Sequence, residues 1–161
     1  MSDQVLTKVR RLLTEAEVTF TEKEHSATFT SEESAVARGE ELGVGAKALL
    51  LKTDDVFRLF VLPANRKLDS GAIKRELKVR KTRFATPDEL LELTGLVPGS
   101  VPPFGRPILP FELFADIAVG MTHDRVAFNA GSLTVSIIMS AAEWKSTAKP
   151  RQFAFGKDED A

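Results

Sequence analysis

The stretch Thr94-Gly-Leu-Val-Pro-Gly-Ser-Val-Pro-Pro-Phe-Gly-Arg106 concentrates residues that shape the backbone. It holds three of the ten glycines and three of the eight prolines in this chain of 161 residues. Glycine permits backbone angles that other residues avoid, whereas proline fixes φ and removes a hydrogen-bond donor. We therefore predict a stiff loop here, neither a helix nor a central strand. Such a loop either holds binding groups in place or simply connects two elements, and its composition supports both interpretations.

Ahead of this loop, apolar periodicity predicts two helices and a strand. Residues 3–16 carry apolar side chains at helical spacing, and residues 18–25 alternate as a short strand. Thr30 or Ser31 is predicted to cap a second helix that runs to about Leu42. With Thr30 as the cap, Glu33 stands at the third helical position, as a capping box requires.

The next segment has the pattern of a β-hairpin. Two apolar runs, residues 47–52 and 56–62, are separated by an acidic turn at Asp54-Asp55. Pro63 is predicted to end the second strand, because it cannot donate a hydrogen bond to a neighbouring strand.

Between the hairpin and the loop, capping residues indicate two further helices. Asp69 is predicted to cap a helix that ends near Leu77, and residues 83–85 are predicted to form a short strand. Thr86 is followed by proline at the first helical position and by Glu89 at the third. This combination predicts a short helix that leads directly into the loop.

Beyond the loop, the chain is predicted to be mostly extended. Residues 108–118 are apolar, interrupted by one proline, and are expected to form one or two strands. Residues 126–130 and 133–139 are expected to form two more. Ser140 opens another capping box and a last helix, and the polar segment 149–161 is expected to fray.

The mixed order of elements predicts one α+β domain over residues 1–161, with its core at about residues 20–148. A hydrophobic fraction of 43% and a charged fraction of 28% are ordinary for a soluble globular protein. The absence of cysteine excludes disulfides and thiolate nucleophiles. The polar N-terminus and the lack of a bilayer-length apolar run favour a cytoplasmic location.

Lys47 is the charged residue of most interest in the hairpin. Strand alternation places it on one face with Leu49 and Leu51. A lysine at the mouth of an apolar face can reach into a cleft, where its ammonium would pair with a phosphate or carboxyl oxygen. The alternative is a lysine at a strand end whose ammonium extends into water.

The segment Asn129-Ala-Gly-Ser132 is either a binding loop or a plain hairpin turn. Ser132 lacks the Gly-x-Ser-x-Gly context of a nucleophile elbow. The two histidines, His25 and His123, are far apart in sequence, so no metal site is expected. Phosphate-loop and dinucleotide-binding fingerprints are absent from the sequence as well.

Positive charge is concentrated in residues 74–83, named here the basic block. Its six cations face one acid, Glu76, in a chain whose net charge is only −1. Such a block can follow a nucleic-acid backbone, but a solvated helix end looks the same. The cations are Lys74, Arg75, Lys78, Arg80, Lys81 and Arg83.

Six segments occur in a characteristic order: His25 with the helix that follows it, and residues 45–52, 62–69, 85–90, 94–105 and 128–132. Together they resemble the YbaK/ProX family of freestanding aminoacyl-tRNA deacylases, which is related to the editing domain of bacterial-type prolyl-tRNA synthetases. The resemblance implies an α+β domain with a central mixed or antiparallel, barrel-like sheet flanked by helices.

The resemblance also implies a function and a set of residues. The expected activity is trans-editing hydrolysis of tRNA that carries a wrong small amino acid of the alanine, serine or cysteine type, for example on proline tRNA. Lys47 would engage the terminal nucleotide of the tRNA and orient the ester. The implied catalytic residues are Lys47, Gly99, Ser100, Pro103, Gly131 and Ser132. The implied substrate contacts are His25, Pro102, Phe104, Gly105 and Asn129, and the candidate tRNA contacts are Lys74, Arg75, Lys78, Arg80 and Lys81.

This chemistry requires neither a metal nor a cofactor. An aminoacyl ester is already activated, so positioning of water and stabilisation of the developing oxyanion by fixed donors can suffice. A pocket walled by proline and aliphatic groups can exclude large side chains. The expected partners are aminoacyl-tRNA and, as a second candidate, an aminoacyl-tRNA synthetase.

One residue departs from the family pattern. Many relatives continue the Asn-Ala-Gly-Ser loop with a polar residue, whereas this chain has Leu133. This departure leaves open a non-catalytic module that binds tRNA or a synthetase. A hydrolase that acts on another small activated ester is a third possibility, and it would not need the basic block.

Overall fold

The computed structural model describes residues 3–159, which form five α-helices and ten strands. The helices are α1 (Asp3–Glu15), α2 (Ser31–Arg38), α3 (Ser70–Leu77), α4 (Pro87–Thr94) and α5 (Ala141–Ala148), with a short 3₁₀ turn at Leu42–Val44. The strands are β1 (Phe20–Glu24), β2 (Ala46–Thr53), β3 (Val56–Pro63), β4 (Arg66–Leu68), β5 (Thr82–Phe84), β6 (Leu113–Asp116), β7 (Arg125–Asn129), β8 (Val135–Ser140), β9 (Arg151–Phe153) and β10 (Gly156–Asp158).

Two larger sheets carry the fold. The five-stranded sheet has the order β5-β2-β3-β6-β9 and is mixed, because β6 runs parallel to both β3 and β9. The three-stranded antiparallel sheet has the order β1-β8-β7, and a parallel bridge joins Ala127 to Gly45, the residue before β2. The predicted α+β fold with a mixed sheet is confirmed. Over the described residues the sheets do not close into a barrel.

The predicted hairpin is β2-β3, and its strand alternation separates two apolar layers. Leu50 and Leu59 lie in the larger core, whereas Leu51 and Phe60 belong to a second core beneath α3. The larger core includes the fully buried Trp144 of α5. Burial of each such side chain stabilises the fold by roughly 1.5–3 kcal/mol.

The N-terminal helix also belongs to this core, so the predicted core limits of 20–148 are too narrow. Four residues of α1 are buried against the sheets: Val5, Leu6, Val9 and Leu13. None of the helices within residues 3–159 is both long and apolar enough to cross a bilayer.

The predicted N-cap residues accept the expected backbone hydrogen bonds, but not every predicted capping box forms. Asp69 Oδ1 accepts a hydrogen bond from Ala72 N, and Thr86 forms a complete capping box with Glu89. Thr30 Oγ1 accepts from Glu33 N, but the Glu33 carboxylate accepts from Phe29 N rather than from the cap residue. The second hydrogen bond of a capping box joins the N–H of the cap residue to the side chain at the third helical position. It depends on the rotamer of that side chain, which sequence spacing alone does not determine.

The predicted end of α2 at Leu42 is wrong. The helix stops at Arg38, because Gly39 adopts a left-handed conformation with φ of 70° and its N–H closes the last turn. Glycine adopts this conformation without steric cost, so it ends the helix one turn earlier than the glycines at 43 and 45 would.

Two extended segments form the predicted strands, but over fewer residues than expected. Within residues 108–118 only Leu113–Asp116 forms a strand, because the start of the segment is folded into turns such as Leu109 N to Gly105 O. The predicted strand 133–139 begins only at Val135, since Ser132 Oγ accepts a hydrogen bond from Thr134 N in a side-chain turn.

The expected frayed tail is also wrong for residues 151–158, which form β9 and β10. Phe155 is 1% exposed and packs edge-on against Phe60. The buried Asp116 carboxylate accepts hydrogen bonds from the backbone N–H groups of Phe155 and Gly156. A polar sequence with two phenylalanines is therefore ordered by tertiary contacts. Residues 160 and 161 lie outside the described residues.

Candidate functional site

A cleft of about 160 Å³ opens between α2, the start of β2 and the loop 94–106. Among the described residues, its lining contains two cations, Arg38 and Lys47, and no carboxylate, imidazole or thiol. The rest of the lining consists of hydroxyl, amide and small or apolar groups. They are Thr28, Phe29, Thr30, Ser31, Ser34, Gly45, Ala46, Ala48, Leu49, Ala64, Gly99, Val101 and Asn129.

Lys47 is half-buried at the start of β2, where its ammonium reaches the cleft. Its Nζ donates to Ala64 O at 3.4 Å, and the Glu159 carboxylate lies 4.0 Å away. Burial lowers the pKa of the Lys47 ammonium, while Glu159 and Glu32 act in the opposite direction. Lys47 is thus a partly desolvated cation in the position predicted for a contact to an anionic substrate group.

Arg38, the last residue of α2, was not predicted as part of the site. Its side chain is buried, and Nε donates to Ser136 Oγ at 2.9 Å. One terminal nitrogen, Nη2, donates to Asn129 Oδ1 at 3.1 Å. Burial lowers the pKa of the guanidinium to about 10, so Arg38 remains charged at neutral pH.

Asn129 connects the two walls of the cleft. Its Nδ2 donates to Gly99 O at 2.8 Å, and its Oδ1 accepts from Arg38 and from the Ser136 hydroxyl at 3.0 Å. These bonds fix the amide orientation and tie the loop 94–106 to strands β7 and β8. The geometry brings Lys47, Gly99 and Asn129 together at one cleft, although they are up to 82 positions apart in sequence.

The predicted loop 94–106 is held rigidly, but most of its predicted site residues face the core. Phe104 is 1% exposed and packs edge-on against Phe128. Pro103 O accepts a hydrogen bond from Trp144 Nε1 at 2.9 Å. Ser100 is buried, and its hydroxyl bonds to the backbone of Val97. These three residues shape the loop without lining the cleft.

Pro102 and Gly105 are likewise buried and do not line the cleft. A Cβ at Gly105 would lie 2.5 Å from Phe111 O, so this glycine is required for close packing. From this loop, Gly99 and Val101 are the described residues that reach the cleft. Sequence spacing marked the loop correctly but did not show which side chains it would turn inward.

The predicted site residues of the loop 129–132 also differ in position, since Asn129 lines the cleft and Gly131 and Ser132 do not. Gly131 has φ of 78°, and a Cβ there would lie 2.9 Å from Val5 Cγ1, so the residue packs against α1. The Ser132 hydroxyl bonds to Thr134 and does not line the cleft. Leu133 lies beside the loop 94–106, where its Cδ2 would be 3.5 Å from a Cβ at Gly99.

His25 contacts the cleft network without lining the cleft itself. Its Nδ1 donates to Ser26 O at 2.9 Å, because a carbonyl oxygen can only accept. Its Nε2 lies 2.8 Å from Ser136 Oγ. Through Ser136 the imidazole is connected to Arg38 and Asn129.

A buried pair of hydroxyl groups forms another part of the cleft wall. Thr28 Oγ1 and Ser34 Oγ lie 2.8 Å apart, and the two residues are 5% and 6% exposed. Two hydroxyl hydrogens are available and this contact uses one of them. Over residues 3–159 neither hydroxyl has another hydrogen-bond partner, so one donor is available to a group in the cleft.

The basic block lies away from the cleft, at the opposite end of the hairpin. All six cations are exposed, and four of them border a shallow depression that also contains Asp54 and Asp55, namely Lys74, Arg80, Lys81 and Arg83. Asp54 Oδ1 accepts from the backbone N–H groups of Arg80 and Lys81, each at 2.9 Å. Arg83 forms a two-point ion pair with Glu89. Asp54, Asp55 and Glu89 therefore make the positive potential of the basic block weaker than the sequence of residues 74–83 alone indicates.

A family model described as the aminoacyl-tRNA editing domain matches residues 25–147, which include both walls of the cleft. The chain belongs to the aminoacyl-tRNA editing domain family. The multifunctional Ser/Thr-tRNA deacylase ProXp-y of Escherichia coli (strain K12) is 35% identical over 136 residues, which cover 81% of this chain and 80% of that protein. The resemblance drawn from the sequence motifs is thereby confirmed.

Two further proteins show how far the likeness extends. The proline–tRNA ligase of Shouchella clausii (strain KSM-K16) is 33% identical over 101 residues, which are 63% of this chain and 17% of that protein. A crystal structure described as that of a candidate trans-editing enzyme for prolyl-tRNA synthetase superposes with a TM-score of 0.79 at 25% identity. The superposition covers 95% of this chain and 97% of that one.

The sequence prediction missed three polar residues of this editing domain, Arg38, Thr28 and Ser34. A signal was present for two of them, because Ser31, Ser34 and Arg38 are spaced to share one face of α2. The face that a helix buries against a core is ordinarily apolar. A polar face on a packed helix therefore indicates a cleft.

Proposed function

We propose that this protein is an aminoacyl-tRNA deacylase that removes small amino acids wrongly attached to tRNA. The proposal is carried by one observation: within a member of the editing domain family, Lys47 lies in a cleft that has cations but no acid among its described lining residues. Such a cleft favours an anionic ligand, as the 3′ end of a tRNA is. Because aminoacyl-tRNA is used during translation, we also propose a cytoplasmic location.

The proposed reaction is hydrolysis by positioning. Water attacks the ester carbonyl carbon, the bond to the ribose oxygen breaks, and the amino acid and the tRNA hydroxyl are released. In this proposal, Lys47 contacts the terminal nucleotide, while Gly99 and Asn129 hold the wall beside the ester. Ser100, Pro103, Gly131 and Ser132 would act by shaping the two loops, a role that their packing and hydrogen bonds support.

The proposed substrate class includes serine. The name of the ProXp-y relative specifies serine and threonine tRNA, and the buried Thr28–Ser34 pair supports recognition of a hydroxyl side chain. A cleft of about 160 Å³ leaves little room for a large side chain. The proposed partners are aminoacyl-tRNA and a prolyl-tRNA synthetase that would release the mischarged product.

The test is single-turnover deacylation of tRNAs charged with alanine, serine, threonine, cysteine and proline. The wild type is expected to hydrolyse at least one small-residue ester, and Lys47→Ala to lose about 100-fold in rate. Lys145→Ala, a half-buried lysine of α5 outside the cleft, is the matched control and should retain the wild-type rate.

If the wild type binds tRNA but hydrolyses none of these esters, the deacylase proposal is wrong. The protein would then be a binding module of the same fold. If hydrolysis is normal but tRNA affinity does not depend on the basic block, the contacts proposed for that block are wrong.

A further inference from the structure

Arg38 has hydrogen-bonding capacity that the fold itself does not use. Its Nε and Nη2 donate to Ser136 and Asn129, as described above. Its Nη1 has no hydrogen-bond partner among residues 3–159. Since none of the described side-chain nitrogen and oxygen atoms is both buried and unpartnered, Nη1 retains some exposure to solvent. Arg38 and the neighbouring Gly45 both line the cleft, so Nη1 is the nitrogen of Arg38 that remains available to a group bound there.

No acid neutralises Arg38 within ion-pair distance in the described part of the chain. Glu40 acts on it only at longer range, and the Glu40 carboxylate is bonded to Arg125 at 2.7 Å. A buried guanidinium without a carboxylate partner is costly unless another group compensates for its charge. In this cleft, that group would be part of a bound ligand.

The position of Nη1 indicates which part of the ligand it meets. It lies against Gly45, 3.4 Å from where a Cβ would be, and Gly45 in turn packs on Ala64. Ala64 O also holds the Lys47 ammonium. Arg38 is the more deeply buried of the two cations, so it lies at the floor of the cleft and Lys47 nearer its mouth.

We propose that Arg38 is a further catalytic residue, whose Nη1 donates a hydrogen bond to the carbonyl oxygen of the ester as that oxygen becomes negatively charged. Its other two nitrogens hold Asn129 and Ser136, so the donor is fixed before the substrate binds. A preorganised donor at a developing oxyanion accelerates acyl transfer because it needs no reorganisation during the reaction. This role rests on the proposed deacylase function.

The first experiment separates donation to the oxyanion from positioning of the wall. Arg38→Gln removes the charge and Nη1, whereas Ser136→Ala removes an anchor of the network but keeps the guanidinium. Arg38→Gln is expected to lower the single-turnover rate by about 100-fold, with a much smaller change in the substrate concentration at half-maximal rate. Ser136→Ala is expected to lower the rate less than about 10-fold.

The second experiment is chemical rescue. Arg38→Ala leaves a space of guanidinium shape, so millimolar guanidinium chloride is expected to restore at least about 10-fold of its lost rate. Urea at the same concentration is the neutral control and should not restore it, and guanidinium should not rescue Lys47→Ala. If Arg38→Ala does not fold, as judged by its melting curve, the comparison of Arg38→Gln with Ser136→Ala decides.

The outcomes separate this role from the deacylase proposal. If the wild type hydrolyses esters and Arg38→Gln retains its rate, or Ser136→Ala loses as much as Arg38→Gln, the catalytic role is wrong and the deacylase proposal stands. If the wild type hydrolyses no ester, both are wrong.

Discussion

The cleft and the basic block both carry positive charge, but in opposite surroundings. In the cleft, Lys47 is half-buried and Arg38 is buried, and burial lowers the pKa of both groups. In the basic block, the cations are exposed, and Asp54, Asp55 and Glu89 lie among them.

The two sites therefore differ in how strongly salt screens the interaction of their charges with a ligand. Salt screens exposed charges over about 10 Å at 0.1 M, whereas buried charges are screened much less. The cleft is therefore suited to short-range discrimination and chemistry, and the basic block to long-range attraction that depends on ionic strength. Four measurements test this division.

The largest effect is expected from the Thr28–Ser34 hydroxyl pair, which would make the cleft selective for the amino acid of the substrate. The double variant Thr28→Val, Ser34→Ala removes the free hydroxyl donor while keeping similar volume. Hydrolysis of the serine ester should fall about 100-fold relative to that of the alanine ester, because the substrate hydroxyl loses its buried partner. The alanine ester measured in the same variant is the internal control. An equal loss for both esters would mean that the pair is only structural.

The second effect concerns the basic block, which would act on every ester alike. Lys78→Glu with Arg80→Glu should raise the apparent Kd for any charged tRNA by about 10-fold at low salt, and less at high salt. The matched control is Lys8→Glu with Arg11→Glu, the same charge change on exposed residues of α1. If both double variants weaken binding equally, net charge rather than the location of the basic block is responsible.

The smallest effect is a pH dependence of several-fold. Because the folded-state pKa of Lys47 lies below its ordinary value of 10.5, its charge is lost at lower pH than that of an unperturbed lysine. After subtraction of spontaneous ester hydrolysis, the catalysed rate should fall as pH rises through that lowered pKa. Glu159→Gln should move the fall to still lower pH, since Glu159 raises this pKa.

The same titration should change stability in the opposite direction. Burial penalises the charged form, so the cost is fully present below the folded-state pKa and is relieved as pH rises toward 10.5. Urea unfolding of wild type and Lys47→Met across this window should show a rise in the free energy of unfolding that only the wild type has. A rise of equal size in both proteins would assign it to another group.

Local rules predicted much of the fold. The β2-β3 hairpin, the caps at Asp69 and Thr86, and the stiff loop 94–106 follow from alternation, capping chemistry and backbone restriction. Each of these signals depends on residues a few positions apart. The family resemblance added Lys47, Gly99 and Asn129 as members of one site, and the cleft contains all three.

The rest depended on contacts between residues distant in sequence. Whether Phe104 faces the core or the cleft depends on Phe128, and whether the tail is ordered depends on Asp116 and Phe60. Arg38 acquires its surroundings only when α2 packs on β7 and β8. The sequence alone determined the local elements, because their energetics are local. Only the tertiary structure determined which polar groups are removed from water and placed side by side in the cleft, because burial depends on contacts along the whole chain.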